Sequence, residues 1–107
     1  MTTAEYNDQV AKAMLERALQ EHVRQMLQLH GWRHYHTHLA KHSPAGFPDV
    51  CAIRRNRLLF AELKREKGKT TPAQDAWLAD LRALPGIEVY VWRPLQLLNG
   101  KIADVLR

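Results

Sequence analysis

Apolar residues recur every three or four positions along the first third of the chain. This spacing predicts one amphipathic helix from Glu5 to His30, which Gly31 would end as a C-cap. The pattern is weaker at the start, so we expect residues 1–12 to form either a helical extension or a frayed end. The apolar positions of the predicted helix are Val10, Met14, Leu19, Val23, Met26, Leu27 and Leu29.

Shorter apolar runs follow the helix and are typical of strands. Residues 32–38 alternate well enough to predict a first strand, and residues 39–46 predict a loop. Residues 49–53 and 58–64 predict a strand pair joined by a short turn over residues 54–57. Because both strands of this pair are rich in apolar residues, we expect their sheet to be covered on two faces.

A second helix and a fourth strand follow a polar loop. Thr71-Pro72 supplies the preferred residue types for the N-cap and first position of a helix. Its apolar residues continue to Leu84, where Pro85-Gly86 would end it. Residues 87–92 then predict a strand.

The last fifteen residues give a weaker signal. Residues 94–98 predict a short helical turn, and residues 102–106 are apolar but indicate no particular element. The order of elements is therefore helix, three strands, helix, strand. This order predicts a single α/β domain over residues 1–107.

The size and charge of the chain are consistent with this fold and indicate a kind of partner. The chain has 107 residues, which suits one compact domain, and its formal net charge is +5. A basic surface suits a polyanion, because each phosphate contact releases condensed counterions. Seven basic residues lie in one third of the chain: Arg54, Arg55, Arg57, Lys64, Arg65, Lys67 and Lys69.

Several classes of protein are disfavoured by the sequence. No apolar run approaches the roughly 20 residues that span a bilayer, so we expect no membrane partner. The first residues lack the basic and apolar pattern of a signal sequence, so we expect a cytoplasmic protein. Cys51 is the single cysteine, which excludes an internal disulfide and a cysteine-based zinc cluster.

Candidate chemistry is concentrated at one end of the predicted strand pair. Asp49 begins the first strand and Glu62 lies near the end of its antiparallel neighbour, so a hairpin would bring the two carboxylates together. Lys64 follows Glu62 at i+2 and would share its face. Two carboxylates suit a hard divalent cation, and an adjacent ammonium suits a phosphate. The arrangement is therefore typical of metal-assisted phosphodiester cleavage.

Four histidines offer a second metal-binding hypothesis. His34, His36 and His38 would share one strand face, and His42 follows in the loop. Imidazoles are good zinc ligands, but three at this spacing extend over about 13 Å of strand, too far to bind one ion. We therefore expect His34, His38 and His42 to face solvent or DNA.

The two motifs resemble a known signature. Gly46-Phe47-Pro48-Asp49 followed by Glu62-Leu63-Lys64 resembles that of the PD-(D/E)XK nuclease superfamily. Within it, the chain is similar to a stand-alone VRR-NUC domain of bacteriophages and bacteria, from about Glu16 to Pro94. The resemblance implies a restriction-endonuclease-like αβββαβ core with a mixed sheet flanked by helices. Further matching positions are Gln20, Gly31-Trp32, Tyr35-His36-Thr37, Ser43, Gly68, Thr71-Pro72-Ala73-Gln74, Trp77-Leu78 and Val91-Trp92-Arg93-Pro94.

The resemblance also implies a set of catalytic residues. Lys64 would orient or deprotonate the attacking water, and Gln74 would position Lys64 or the scissile phosphate. Glu21 competes with Glu16 for the place in the first helix, where Glu16 is favoured. The implied ligands of Mg²⁺, for which Mn²⁺ would substitute, are Glu16, Asp49, Glu62 and the backbone carbonyl of Leu63.

The implied activity is that of a structure-selective DNA endonuclease, in a bacterial or phage-infected cell. Similar stand-alone domains resemble Holliday-junction resolvases, which implies branched DNA and a homodimer. Three alternatives stay open: a non-catalytic nucleic-acid-binding scaffold, a nuclease acting on flaps or other ends, and a sequence-specific restriction-type nuclease. The implied DNA-binding residues are Gln20, His36, Ser43, Arg65, Lys67 and Lys69.

Overall fold

Helices surround a mixed four-stranded sheet in the computed structural model, which describes residues 1–37 and 44–107. The helices are α1 (Thr3–Ala13), α2 (Glu16–Leu29), α3 (Pro72–Arg82), α4 (Pro94–Leu98) and α5 (Lys101–Leu106). The strands are β1 (Arg33–His36), β2 (Val50–Arg54), β3 (Arg57–Leu63) and β4 (Ile87–Trp92). Among the described residues, no helix combines the length and apolarity needed to cross a bilayer.

The strands lie in the order β1-β2-β3-β4. β1, β2 and β3 are antiparallel neighbours, whereas β4 runs parallel to β3. A parallel pair needs a crossover connection, and α3 supplies it between β3 and β4. From α2 onward this is the predicted αβββαβ core with its mixed sheet, so the predicted fold is confirmed.

The prediction of one continuous first helix is wrong. Met14 and Leu15 have extended backbone angles, with ψ of 127° and 151°, and they separate α1 from α2. α1 begins with a capping box, in which the Thr2 hydroxyl accepts a hydrogen bond from the Glu5 N–H at 3.1 Å. Ala11 is fully buried, and α1 packs against α4. The first dozen residues therefore form a capped and packed helix, not a frayed end.

The sheet has apolar contacts on both faces, as predicted. On one face, α2 contributes the buried residues Leu19, Val23 and Leu27 to a core that includes Val50, Ala52, Leu59 and Ala61. On the other face, the Phe47 ring forms edge-to-face contacts with Phe60 and Trp77, with centroids 5.8 and 5.0 Å apart.

The C-terminal residues complete the core as helix α5, with Ile102 and Leu106 fully buried. The carbonyl oxygen of Leu106 accepts hydrogen bonds from Trp32 Nε1 and Arg54 Nη1, both at 2.9 Å. These bonds attach the end of α5 to Trp32, just before β1, and to Arg54, the last residue of β2. The region that gave no sequence signal is therefore fixed by contacts with residues far away in the chain.

Candidate active site

Asp49 and Glu62 lie side by side at one end of the β2–β3 hairpin. The strand register pairs Val50 with Ala61, so the residue before Val50 lies beside the residue after Ala61. Asp49 Oδ2 accepts a hydrogen bond from the Leu63 N–H at 2.8 Å, which fixes one oxygen of this carboxylate. Glu62 is 1% exposed. The hairpin thus places two carboxylates together, one of them almost fully buried.

The environment of Glu62 favours a protonated carboxyl or a bound cation. Burial, and then a hydrogen bond to Asp49 and its negative charge, raise the pKa of Glu62 to about 9; the Lys64 ammonium opposes this rise. Oε2 of Glu62 is buried and receives no hydrogen bond from any described residue. A buried carboxylate oxygen without a donor needs either a proton or a cation. The donor chemistry therefore fits a hard divalent metal ion.

Glu16 faces this pair from the first turn of α2. Burial and the nearby Asp49 carboxylate raise the pKa of Glu16, while the Lys64 ammonium lowers it. Glu21 instead forms an ion pair with Arg24, with Nη2 2.7 Å from Oε1. That pairing lowers the pKa of Glu21. Glu16 therefore interacts electrostatically with Asp49 and Lys64, whereas Glu21 is paired with Arg24.

The three carboxylates do not form a closed ligand cage. Within residues 1–37 and 44–107, no three His, Cys, Asp or Glu side chains are grouped closely enough to hold a metal ion. The preformed part is the Asp49–Glu62 pair, and Glu16 acts on it from a longer distance. Mg²⁺ retains several waters and needs only one or two carboxylates, so this pair is sufficient to hold it. The histidine zinc hypothesis gains no support from His34 and His36, and His38 and His42 lie outside the described residues.

Lys64 directly follows β3, which ends one residue earlier than predicted. Its N–H donates to the Trp92 carbonyl at 3.0 Å, so β4 fixes the backbone at this point. The positive charge of its ammonium lowers the pKa of both Glu62 and Glu16, against the larger effects that raise it. The strand pair thus brings an ammonium to the carboxylates, as the spacing predicts.

Gln74 lies in the first turn of α3 and contacts Glu62. Its Oε1 accepts a hydrogen bond from the Thr71 N–H at 2.9 Å, in a capping box. Its Nε2 donates to Glu62 Oε1 at 3.4 Å. The side chain thus connects the start of α3 to Glu62, and its predicted role toward Lys64 or the scissile phosphate stays a prediction.

The segment before Asp49 is held from three sides. Gly46 has φ of +95°, and a Cβ there would lie 2.5 Å from the Ala73 carbonyl carbon, so the loop touches the start of α3. Phe47 is packed between aromatic rings, and the Pro48 carbonyl accepts a hydrogen bond from the Thr37 hydroxyl at 2.9 Å. Sequence reasoning assigned no positioning role to Thr37 or Phe47. In the sequence, the only indication of these roles was that Thr37 and Phe47 lie within stretches that resemble the family.

The predicted DNA-binding residues lie in two groups. Arg65, Lys67 and Lys69 are exposed on the loop between β3 and α3. Gln20 and His36 are half-buried and lie on α2 and β1. Ser43 lies outside the described residues.

The basic residues of the hairpin turn are not part of this surface. Arg54 and Arg57 both stack on the Trp32 ring, 4.9 and 4.8 Å from its centre. Arg57 also forms a two-pronged ion pair with Glu88, at 2.7 and 2.8 Å. The turn lies at the opposite end of the hairpin from Asp49. Although Arg54 and Arg57 belong to the basic third of the chain, they therefore do not lie at the carboxylates.

Arg93 has a structural role near the site. Its Nη1 donates to the carbonyl oxygens of Arg65 at 2.8 Å and Gly68 at 2.6 Å. The N–H of Leu95 donates to the Glu66 carboxylate at 3.1 Å. The chain after β4 thus fixes the loop that carries the exposed lysines.

A profile of the VRR-NUC domain matches residues 2–94 of the chain. The chain belongs to the VRR-NUC family. VRR-NUC domains are nuclease domains, so this is a nuclease-type family. A comparison with curated proteins found no match to the sequence of the chain.

A solved structure described as a VRR_NUC domain shares the fold. It superposes with a TM-score of 0.67 at 22% sequence identity, and the match covers 82% of this chain and 94% of that one. At 22% identity, this similarity shows that the two chains share a backbone fold. The family assignment predicted from the two motifs is confirmed by the profile, and the mixed sheet with its flanking helices by the superposition.

Proposed function

We propose that this VRR-NUC chain is a Mg²⁺-dependent endonuclease that hydrolyses phosphodiester bonds in DNA. The observation that carries the proposal is the buried Glu62 carboxyl beside Asp49, with one oxygen that no described donor satisfies. A buried charge of this kind is costly unless it is paired or binds a cation. A function that needs the charge explains the presence of this carboxyl at the end of the hairpin.

The residues that would hold the ion are Asp49 and Glu62, with the Leu63 carbonyl and Glu16 completing the set through longer contacts or waters. A bound Mg²⁺ supplies positive charge to the scissile phosphate and acidifies an attacking water. Mn²⁺ prefers the same oxygen ligands and substitutes for it. Asp49 is already oriented by the Leu63 N–H, so little reorganisation is needed for its part.

Lys64 acts on the water and the phosphate. Its ammonium is close enough to Glu62 and Glu16 to influence both carboxyls, so it orients the water at this point and neutralises charge that develops on the phosphate. Gln74 stabilises the orientation of Glu62 through its contact with Oε1. The carboxylates therefore hold the cation, Lys64 orients the water, and Gln74 orients one of the ligands.

The exposed basic loop gives the DNA a place to bind. Arg65, Lys67 and Lys69 follow Lys64 in sequence, and Arg93 fixes the loop that carries them. Basic side chains contact phosphates without reading bases, so this surface holds the backbone of the substrate. Selectivity would then depend on the shape of the DNA, which is why we propose branched DNA as the substrate.

A homodimer follows if the substrate is a four-way junction. One chain carries one candidate site, whereas symmetric cutting of a junction requires two. A two-fold dimer supplies both sites with the required symmetry. The proposed activity is accordingly similar to that of a Holliday-junction resolvase.

A cleavage panel tests the proposal. Junction, flap, fork, duplex and single-stranded DNA are incubated with the protein in Mg²⁺, in Mn²⁺ and in EDTA. We expect metal-dependent cuts, loss of cutting in Asp49→Ala and Lys64→Ala, and activity close to wild type in the control Asp80→Ala, which changes an exposed acid of α3. Symmetric paired nicks support a junction resolvase, and cuts at flap ends support the end-processing alternative. Binding without cleavage in every metal would contradict catalysis and support the scaffold.

A further inference from the structure

A cavity of about 340 Å³ lies between α2 and the edge strand β1. Its lining includes Gln20, Arg24 and Leu27 from α2, His34 and His36 from β1, and Val50 from β2. Binding sites for small organic groups start at about this size. None of the catalytic roles described above uses the cavity.

Two walls of the cavity continue directly from the candidate active site. Gln20 lies one helical turn after Glu16, on the same side of α2. Val50 follows Asp49 in the chain, and His36 is the strand partner of Val50. Gln20 on α2 and Val50 on β2 therefore connect the elements that carry Glu16 and Asp49 to the cavity.

The lining suits a flat heterocyclic ring. His34 and His36 are two residues apart on β1, so their imidazoles lie on one face of the strand. Leu27 and Val50 supply buried aliphatic surface, and the Gln20 amide offers both a donor and an acceptor. Unstacked bases are held in this way, by aromatic or guanidinium planes, apolar contacts and a few hydrogen bonds.

The charges at the cavity disfavour a phosphate as its occupant. Arg24 donates to Glu21 at 3.0 and 2.7 Å and to Gln28 at 3.2 Å. Its charge is thus neutralised by Glu21, which also lines the cavity. The guanidinium keeps its plane, which can stack on a ring, but offers no net positive charge to an anion.

We infer that this cavity receives the base of an unpaired nucleotide next to the phosphate that is cut. The inference rests on the proposed nuclease function and specifies its substrate: DNA with an unstacked base beside the cleavage site. Branch points, flaps and bulges all supply such a base, whereas continuous duplex does so only at the cost of unstacking.

The test compares three matched oligonucleotides. One is a duplex with a single unpaired nucleotide, the second carries an abasic unit in its place, and the third is a continuous duplex. For the wild type, we expect removal of the unpaired base to slow cleavage by about tenfold, the effect of losing one base–aromatic stack. In His34→Ala the same removal should have much less effect, because the ring that holds the base is gone.

Two further variants make the test specific. Gln20→Leu keeps the volume but loses the amide, and should also reduce the effect of the base. His22→Ala changes an exposed histidine of α2 that does not line the cavity, and should keep the full tenfold effect. An equal effect of the base in the wild type, His34→Ala and Gln20→Leu would overturn the inference.

Binding measurements separate this inference from the nuclease proposal. Fluorescence anisotropy of the same three oligonucleotides without divalent cations should show tighter binding when the unpaired base is present. If no DNA is cut but this preference exists and is lost in His34→Ala, the nuclease proposal fails and the base site stands. If DNA is cut with no preference for the base, the cavity inference is wrong. If His34→Ala changes only the oligomeric state, the cavity receives a second copy of the chain instead.

Discussion

At the scale of single residues, Glu62 has the least ordinary environment in the described part of the chain. Its carboxyl is 1% exposed, and one of its oxygens has no donor. Such a group opposes folding when it is ionised and nothing balances its charge. The stability of the protein should therefore report directly on the state of this side chain.

The pH dependence of stability follows from the pKa of Glu62. Burial and Asp49 raise this pKa from 4.5 to about 9, so between these values the folded state holds a proton that the unfolded state has lost. Stability from this group is present below pH 4.5 and is lost as the pH rises toward 9. In EDTA at pH 8, we expect Glu62→Gln to exceed the wild type by about 1–3 kcal/mol in free energy of unfolding.

Urea unfolding at pH 5 and pH 8 measures this difference. The advantage of Glu62→Gln should shrink at pH 5, because this pH is close to the ordinary pKa of 4.5 and the unfolded wild type then also holds much of the proton. The control Glu66→Gln changes an acid of the neighbouring loop and should not flatten the pH dependence. An advantage of Glu62→Gln that is the same at both pH values would contradict the assigned environment.

Gly46 is the second residue with a specific structural requirement. In Gly46→Ala the Cβ would lie 2.5 Å from the Ala73 backbone, and φ of +95° is unfavourable for alanine. We expect a loss of about 2–4 kcal/mol, from backbone strain and steric overlap together. Gly86→Ala is the matched control, because its φ is +76° but nothing lies within 4 Å of the added Cβ.

The control should lose only about 1 kcal/mol, the strain alone. Chemical denaturation of both variants checks the difference. Gly46→Ala would also displace the loop that carries Asp49. We therefore expect its cleavage activity to fall by more than its loss of stability explains. Equal losses of stability in the two variants would show that the loop does not depend on its contact with α3.

At the scale of elements, the basic loop between β3 and α3 should account for part of the salt dependence of DNA binding. Each phosphate contact contributes about 0.9 to the slope of log K against log salt. We expect Lys67→Ala and Lys69→Ala each to reduce that slope by about 1. Arg55→Ala, at the far hairpin turn, is the control and should leave the slope unchanged. Equal slopes in all variants would show that the phosphates of the DNA do not contact this loop.

Most of the elements could be predicted from the sequence because each has a local signal. The strand pair, the Thr71-Pro72 start of α3 and the last strand all carry one. The break at Met14 and Leu15 could not be predicted, because no glycine or proline interrupts the chain and both helices have helical spacing. Helix α5 depends on contacts with Trp32 and Arg54, which its own residues do not reveal.

The candidate site was predictable to a similar extent. The meeting of Asp49 and Glu62 follows from hairpin geometry, which the sequence defines through two strands and a short turn. The partner of Gln74 could not be predicted, because it depends on the path of α3 across the sheet. The stacking of Arg54 and Arg57 on Trp32 could not be predicted either, because it depends on how the hairpin packs against a residue that precedes β1.

At the scale of the whole molecule, the proposed dimer predicts how mixed subunits should behave. The inactive Asp49→Ala chain, mixed with wild type and allowed to exchange, would form dimers with one working site. We expect these mixed dimers to nick one strand of a junction without the paired second nick. Sedimentation should show two protomers per particle. Paired nicks at the wild-type ratio in all mixtures, or a single protomer at working concentration, would contradict the dimer.

Calorimetric titration of Mg²⁺ into the protein tests the central claim most directly, because it requires neither DNA nor cleavage. We expect the wild type and Glu21→Gln to bind the ion, whereas Asp49→Ala and Glu62→Gln should lose the binding heat while remaining folded by circular dichroism. If Glu62→Gln binds Mg²⁺ as tightly as the wild type, the buried carboxyl is not a ligand and the proposed site is wrong.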